Sequence, residues 1–104
     1  MLFTGVWIET MKHKVISRAD GICEVKGCDA DADTVHHILK ISVYPEFKND
    51  PDNGIAMCGR DHSELERRLR MGEDVNEMFE EGLYAERYEK MQWKIYNGSG
   101  SGKS

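Results

Sequence analysis

Residues 33–40 read DTVHHILK and hold two of the chain's four histidines side by side at the start of an apolar run. In an extended segment successive side chains leave on opposite faces. His36 and His37 can therefore work at one place only if the backbone bends there, so the stretch predicts a strand that ends or distorts at the pair. Working outward, YPEFKNDPDNG (44–54) is rich in Pro, Asp, Asn and Gly and reads as a loop. IAM (55–57) makes a short strand at most. Asn53 falls in PDNG, a strong turn signal. Upstream, CEVKGC (23–28) reads as a turn with a Gly just before its second cysteine, and DADADT (29–34) is polar and loop-like.

Three cysteines, an odd number, fit poorly with a complete disulfide framework and better with thiolate ligands or buried thiols in a reducing compartment. Cys23 and Cys28 enclose four residues, and Cys58 is followed closely by Asp61 and His62. Structural zinc takes four ligands in a tetrahedron, drawn from thiolates, imidazoles and sometimes carboxylates. A knuckle at 23–28 and a second pair starting at Cys58 would supply them, with either Asp61 or His62 as the fourth. The alternative is three unrelated buried thiols.

A chain of 104 residues suffices for one domain, and a metal staple would help so small a core. The 39 % hydrophobic and 32 % charged residues fit a soluble protein. No run of 18 apolar residues and no signal-peptide pattern is visible, so no membrane partner is expected and the expected compartment is cytoplasmic. The net charge of −5 argues at first sight against nucleic acid. It is uneven: residues 61–90 hold ten acids and five bases, whereas 1–60 hold nine acids and seven bases. Bound divalent cations would shift the first half further towards positive.

Residues 1–10 predict a short strand or an anchor on the body. Residues 11–19 predict a helix with Met11, Val15 and Ile16 on one face, ended by Gly21 at C′. DHSE (61–64) has the pattern of a capping box, with Asp61 as N-cap. Leu65 and Leu69 follow on one face, and Glu64 pairs with Arg67 and Arg68. Beyond Gly72, Val75, Met78 and Phe79 keep helical spacing. Beyond Gly82, so do Tyr84, Tyr88, Met91 and Ile95, a stripe that serves as core or as a partner surface. NGSGSGKS (97–104) is flexible by composition and could be a cloning remnant.

Taken together, SRADGICEVKGC, TVHHI, DNGIAMC and DHSEL resemble the HNH endonucleases, the ββα-metal nucleases, in their zinc-bearing form. The resemblance covers roughly Ser17 to Leu69. It implies an α+β fold: a small ββα-metal, treble-clef-like core at 17–71 with a zinc knuckle, an N-terminal extension at 1–16 and two C-terminal helices at 72–96. It implies a metal-dependent DNA endonuclease that leaves 5′-phosphate and 3′-hydroxyl ends. Residue by residue, His36 and His62 would bind the catalytic divalent metal (Mg2+, Mn2+ or Ni2+). His37 would be the general base, and Asn53 would hold the loop and help orient that base. Cys23, Cys28 and Cys58 would bind structural zinc.

The sequence departs from the family at the second cysteine pair. CGRDH puts Asp61 where the zinc-bearing form usually has Cys or His. Three outcomes follow: Asp61 binds zinc and caps the helix with its other oxygen, the site is incomplete, or zinc draws His62 away from catalysis. The first two are favoured, since adjacent helical residues point about 100° apart. Lys12, Lys14, Arg18 and Arg60 are candidates for DNA phosphates, with Lys26 and Lys40 nearer the motif. Such contacts set affinity but not sequence choice. The rival reading is a catalytically silent HNH-derived zinc-binding module for nucleic acid or protein. The C-terminal helices offer a surface for a homodimer or for a larger nuclease or phage assembly.

Overall fold

The computed structural model describes residues 10–97. The reading of residues 1–9 as a strand or anchor, and that of the segment beyond residue 97 as a flexible tail, lie outside them. The element order is α1 (Met11–Arg18), β1 (Thr34–His37), β2 (Gly54–Met57), α2 (Gly59–Arg70) and α3 (Leu83–Tyr96), with short 3-10 turns at Pro45–Phe47, Pro51–Asn53 and Asn76–Met78.

The two strands pair antiparallel, with His36 opposite Ile55 and His37 opposite Gly54. Alternation along β2 then organises the core. Ile55 and Met57 point to one side, with Leu65 of α2, Phe79 and Tyr84. Ala56 points to the other, with Met11 and Val15 of α1. All four residues of β2 are buried, as a strand covered on both faces requires. Gly54 is where α1 comes closest. A Cβ there would lie 2.7 Å from the Met11 side chain and 2.8 Å from that of Val35.

The predicted first helix is present and runs across residues 16 and 17, so the N-terminal extension and the core share it. Its ending differs from expectation. Asp20, not Gly21, takes the C′ position at φ 57°, and Gly21 follows at φ 77°. Asp20 N–H donates to Ser17 O and Gly21 N–H to Ile16 O, the paired bonds of a Schellman ending. The short polar side chain of Asp lets it adopt the left-handed region that most side chains avoid.

The capping box is absent. Cys58, extended at φ −81° and ψ 160°, is the N-cap of α2, and His62 N–H closes the first turn on Cys58 O at 2.9 Å. Asp61 lies inside that turn and points at the cysteines instead. Glu64 does pair with Arg67 and Arg68, at 2.8 and 2.9 Å.

Residues 72–96 hold one α-helix, not two. Gly72 (φ 76°) and Gly82 (φ 84°) isolate residues 73–81. Within them, Asp74 Oδ1 accepts from Asn76 N–H, a local turn that competes with helix. Val75, Met78 and Phe79 are buried all the same, reaching the core from a single 3-10 turn. In α3, Tyr84 and Met91 are buried within the chain, so at those two positions the stripe is core. Tyr88 stays exposed. Met91 packs with Leu39 and Phe47 of the loop between the strands. Lys94 clasps that loop through Asp50 and Asp52 at 2.6 and 2.8 Å. Among the described residues no helix is long and apolar enough to cross a membrane.

Candidate metal centres

The cysteine knuckle is built by backbone bonds. Cys23 N–H donates to Ala30 O at 2.9 Å, Cys28 N–H donates to Val25 O at 3.0 Å, and Gly27 supplies the positive φ that closes the turn. Glu24 N–H donates to Ala56 O at 2.9 Å, and Ala56 N–H donates back to the Glu24 carboxylate. The knuckle is thereby hung on the free edge of β2, level with Cys58.

Cys23, Cys28, Cys58 and Asp61 converge, with one ligand atom from each lying within 4.8 Å of the others. Cys28 and Cys58 Sγ are 4.0 Å apart, and Asp61 Oδ2 is 3.4 Å from Cys23 Sγ and 3.3 Å from Cys58 Sγ. These spacings fit a zinc ion. Zn–S bonds of about 2.3 Å at tetrahedral angles put sulfurs about 3.8 Å apart, and a shorter Zn–O bond draws the oxygen nearer. The three cysteines are free thiols. Burial pushes the Cys23 thiol up to about 12, and hydrogen bonding to Asp61 raises Cys28. Burial also opposes the charge on Asp61, but bonds from Cys28, Cys58 and Cys23 outweigh it and hold the carboxyl low. A carboxylate facing neutral thiols is a pocket that a cation would convert to thiolates.

The second cluster sits one residue further round α2. His36, on the core face of β1, is 5 % exposed. Its Nδ1 and His62 Nε2 each lie 3.2 Å from Glu66 Oε2. The rings of His36 and His62 meet edge-on at 5.7 Å. Burial drives the His36 pKa down to about 4 against the pull of Glu66, so the ring is neutral near pH 7 and has a lone pair to give. Its other nitrogen, Nε2, is buried without a hydrogen-bond partner. Two imidazoles and a carboxylate within 4.8 Å of one another suit a divalent ion of borderline or harder character. Both metals fit the residues present.

Glu66 escaped the sequence reading. Its signal was there: four residues after His62, one helical turn on, it shares that residue's face.

His37 faces away from this cluster. The strand ends at it, and Ile38 and Leu39 form a bend, as the adjacent histidines predicted. His37 Nε2 lies 3.2 Å from Lys48 O. A carbonyl only accepts, so Nε2 carries the hydrogen and Nδ1 of the neutral ring keeps the lone pair. Asn53 is fully buried. Its Oδ1 accepts from Leu39 N–H at 2.7 Å, and its Nδ2 donates to Leu39 O and Phe47 O. It ties the start of the loop to its end and so fixes the segment that carries Lys48.

A cleft of about 950 Å³ opens beside His36, His37, His62 and Glu66. Of the basic residues, Lys40 and Arg70 line it, whereas Lys12, Lys14, Arg18 and Arg60 do not. Arg18 donates to Pro51 O and Gly54 O, which makes it a brace between α1 and the strands. Arg60 is exposed beside Asp61 and Cys28. Arg70 was not singled out by sequence because nothing local distinguishes it from Arg67 and Arg68.

A two-stranded antiparallel sheet followed by a helix, with a His-Glu cluster between them, is compatible with the ββα-metal class. The comparison with protein families agrees: the model described as HNH endonuclease matches residues 21–68. That match points to nuclease-type or nucleic-acid-related work. Searches of curated proteins and of solved structures matched nothing to this chain.

Proposed function

We propose that the chain is a metal-dependent DNA endonuclease that hydrolyses phosphodiester bonds. The observation that carries this reading is the open triad of His36, His62 and Glu66 next to an imidazole whose tautomer is set by a backbone carbonyl. His36, His62 and Glu66 would hold the catalytic cation, which when bound supplies stabilisation of charge at the scissile phosphate and the leaving 3′ oxygen. Three protein ligands leave positions for phosphate and water. His37 removes a proton from the attacking water at Nδ1, while Nε2–H stays on Lys48 O and holds the ring in register. Asn53 acts through the loop, as a positioning residue. The water oxygen bonds to phosphorus as the 3′ oxygen leaves, giving 5′-phosphate and 3′-hydroxyl ends. Cys23, Cys28, Cys58 and Asp61 would hold zinc as a staple. This leaves His62 to the catalytic centre.

Cleavage of supercoiled plasmid in Mg2+, Mn2+ or Ni2+ tests the reading. Wild type should nick the plasmid in a metal-dependent way, and His37→Ala should be slower by about 10²–10⁴-fold, the range for loss of a general base. A folded wild type that cuts under none of these metals would support the silent zinc-binding module instead. Equal cleavage by both proteins would dismiss His37 as the base.

A further inference from the structure

The cleft has one feature that phosphate hydrolysis does not use. Beside the His-Glu triad its lining is apolar and aromatic, with Ile41, Leu69, Tyr84 and Tyr88 all contributing. Leu69 is 42 % and Tyr88 44 % exposed, so both present apolar surface to the cleft. Tyr84 is turned inward, stacked on Phe79 and His36. Tyr88, one turn along α3, continues the same aromatic face into the opening. Lys40 and Arg70 line the cleft as well, but so does Glu89, in addition to Glu66. A purely anionic occupant would meet two carboxylates. An occupant with a flat neutral face on one side and phosphates on the other would meet matching chemistry on both.

We propose that this cleft takes an unpaired nucleotide, its base stacked on Tyr88 against Leu69 and its flanking phosphates near Lys40 and Arg70, so that single-stranded or locally unpaired DNA is the substrate. The proposal rests on the nuclease reading for its scissile phosphate, but not for its binding. In a duplex the base faces are already covered by their neighbours, and only the sugar–phosphate edge would reach the wall. A base that has left the stack can cover the tyrosine, and leaving is easiest where the strand is unpaired. Stacking on an aromatic side chain accepts any base, so the preference is for strand state and not for sequence.

The test uses a labelled oligonucleotide as a single strand, as a perfect duplex and as a duplex with one unpaired nucleotide. Binding is read by fluorescence anisotropy and cleavage in Mn2+, for wild type, Tyr88→Phe, Tyr88→Ala and Leu69→Ala. Wild type and Tyr88→Phe should bind the single strand about tenfold more tightly than the duplex and cut at or beside the unpaired nucleotide. Tyr88→Ala should lose about that factor, the size of one base–aromatic stack. Leu69→Ala should lose part of it. Equal binding to all three substrates, or a single-strand preference that survives Tyr88→Ala, overturns the proposal even if the protein cuts DNA. Single-strand binding that depends on Tyr88 without any cleavage supports the cleft assignment and sinks the nuclease reading alone.

Discussion

Two clusters share the first two turns of α2 and differ in what surrounds them. Cys23, Cys28, Cys58 and Asp61 come from a knuckle and a helix start; Cys23 and Cys58 are buried, and four donors leave no position over. His36, His62 and Glu66 come from a strand end and a helix face. They offer three donors, one of them on the half-exposed Glu66, and they border a cleft. Closed sets with four ligands hold folds together, whereas open sets with three leave room for a reactant. Asp61 and His62 are neighbours in sequence, and the turn of a helix between them is enough to send each to a different centre.

That contrast can be broken most violently at Cys23. Cys23→Ser, or removal of zinc by a chelator, should leave the chain largely unfolded, since structural zinc contributes on the order of 10 kcal/mol in small domains. Loss of cooperative thermal unfolding by circular dichroism would show it. A Cys23→Ser protein that melts like wild type would remove the staple assignment.

His62→Ala should do the opposite. It should lower cleavage by at least ~10²-fold while moving the melting temperature little, because the cysteine centre is untouched. Binding of Mn2+ followed by calorimetry should weaken in step. If zinc content also falls, the two centres are not independent.

Asn53→Ala strips the partners from Leu39 N–H and C=O deep in the protein. Each buried group left unpaired costs about 1–3 kcal/mol. Denaturant unfolding should register that loss, and activity should drop beyond it because Lys48 O no longer holds His37. Activity equal to wild type in the folded fraction would mean that Asn53 is only structural.

The smallest effect is expected at Glu64, on the outer face of the same helix. Its pairs with Arg67 and Arg68 depress its pKa to about 2 from 4.5. A depressed carboxyl stabilises the folded form above its ordinary pKa, and that contribution fades as pH falls from about 4.5 towards 2. The melting temperatures of wild type and Glu64→Gln should therefore differ slightly near pH 7 and converge in acid. A difference that persists in acid would implicate something other than the ion pairs.

Much of the site was legible in sequence because its pieces are local. The Gly-containing knuckle, the histidine pair at a strand end, Asn53 before β2 and His62 after Cys58 each lie within a few residues of the turn that positions them. What sequence could not settle was decided by contacts between distant segments. Asp61 has the composition of a helix cap, yet it serves the cysteines because the knuckle is hung on β2 beside it. Residues 73–81 have helical spacing, yet two left-handed glycines and an Asp74 turn fold them short. Arg18 reads in sequence as a surface cation, and nothing local shows that the carbonyls of Pro51 and Gly54, 33 and 36 residues away, accept from it. The cleft and its Lys40 and Arg70 exist only once α3 has folded over the domain.

That last helix has a bearing on timing. The loop that carries Lys48 is packed by Met91 through Leu39 and Phe47 and held by Lys94 through Asp50 and Asp52. On a ribosome every residue of the HNH segment is synthesised before Met91 and Lys94 are. A nascent chain stalled short of them would carry both histidines of the pair but lack the brace on the loop that meets His37, so on the nuclease reading the proposed cutting activity would switch on late in translation. Cleavage assays on chains ended before Met91 would read that order directly.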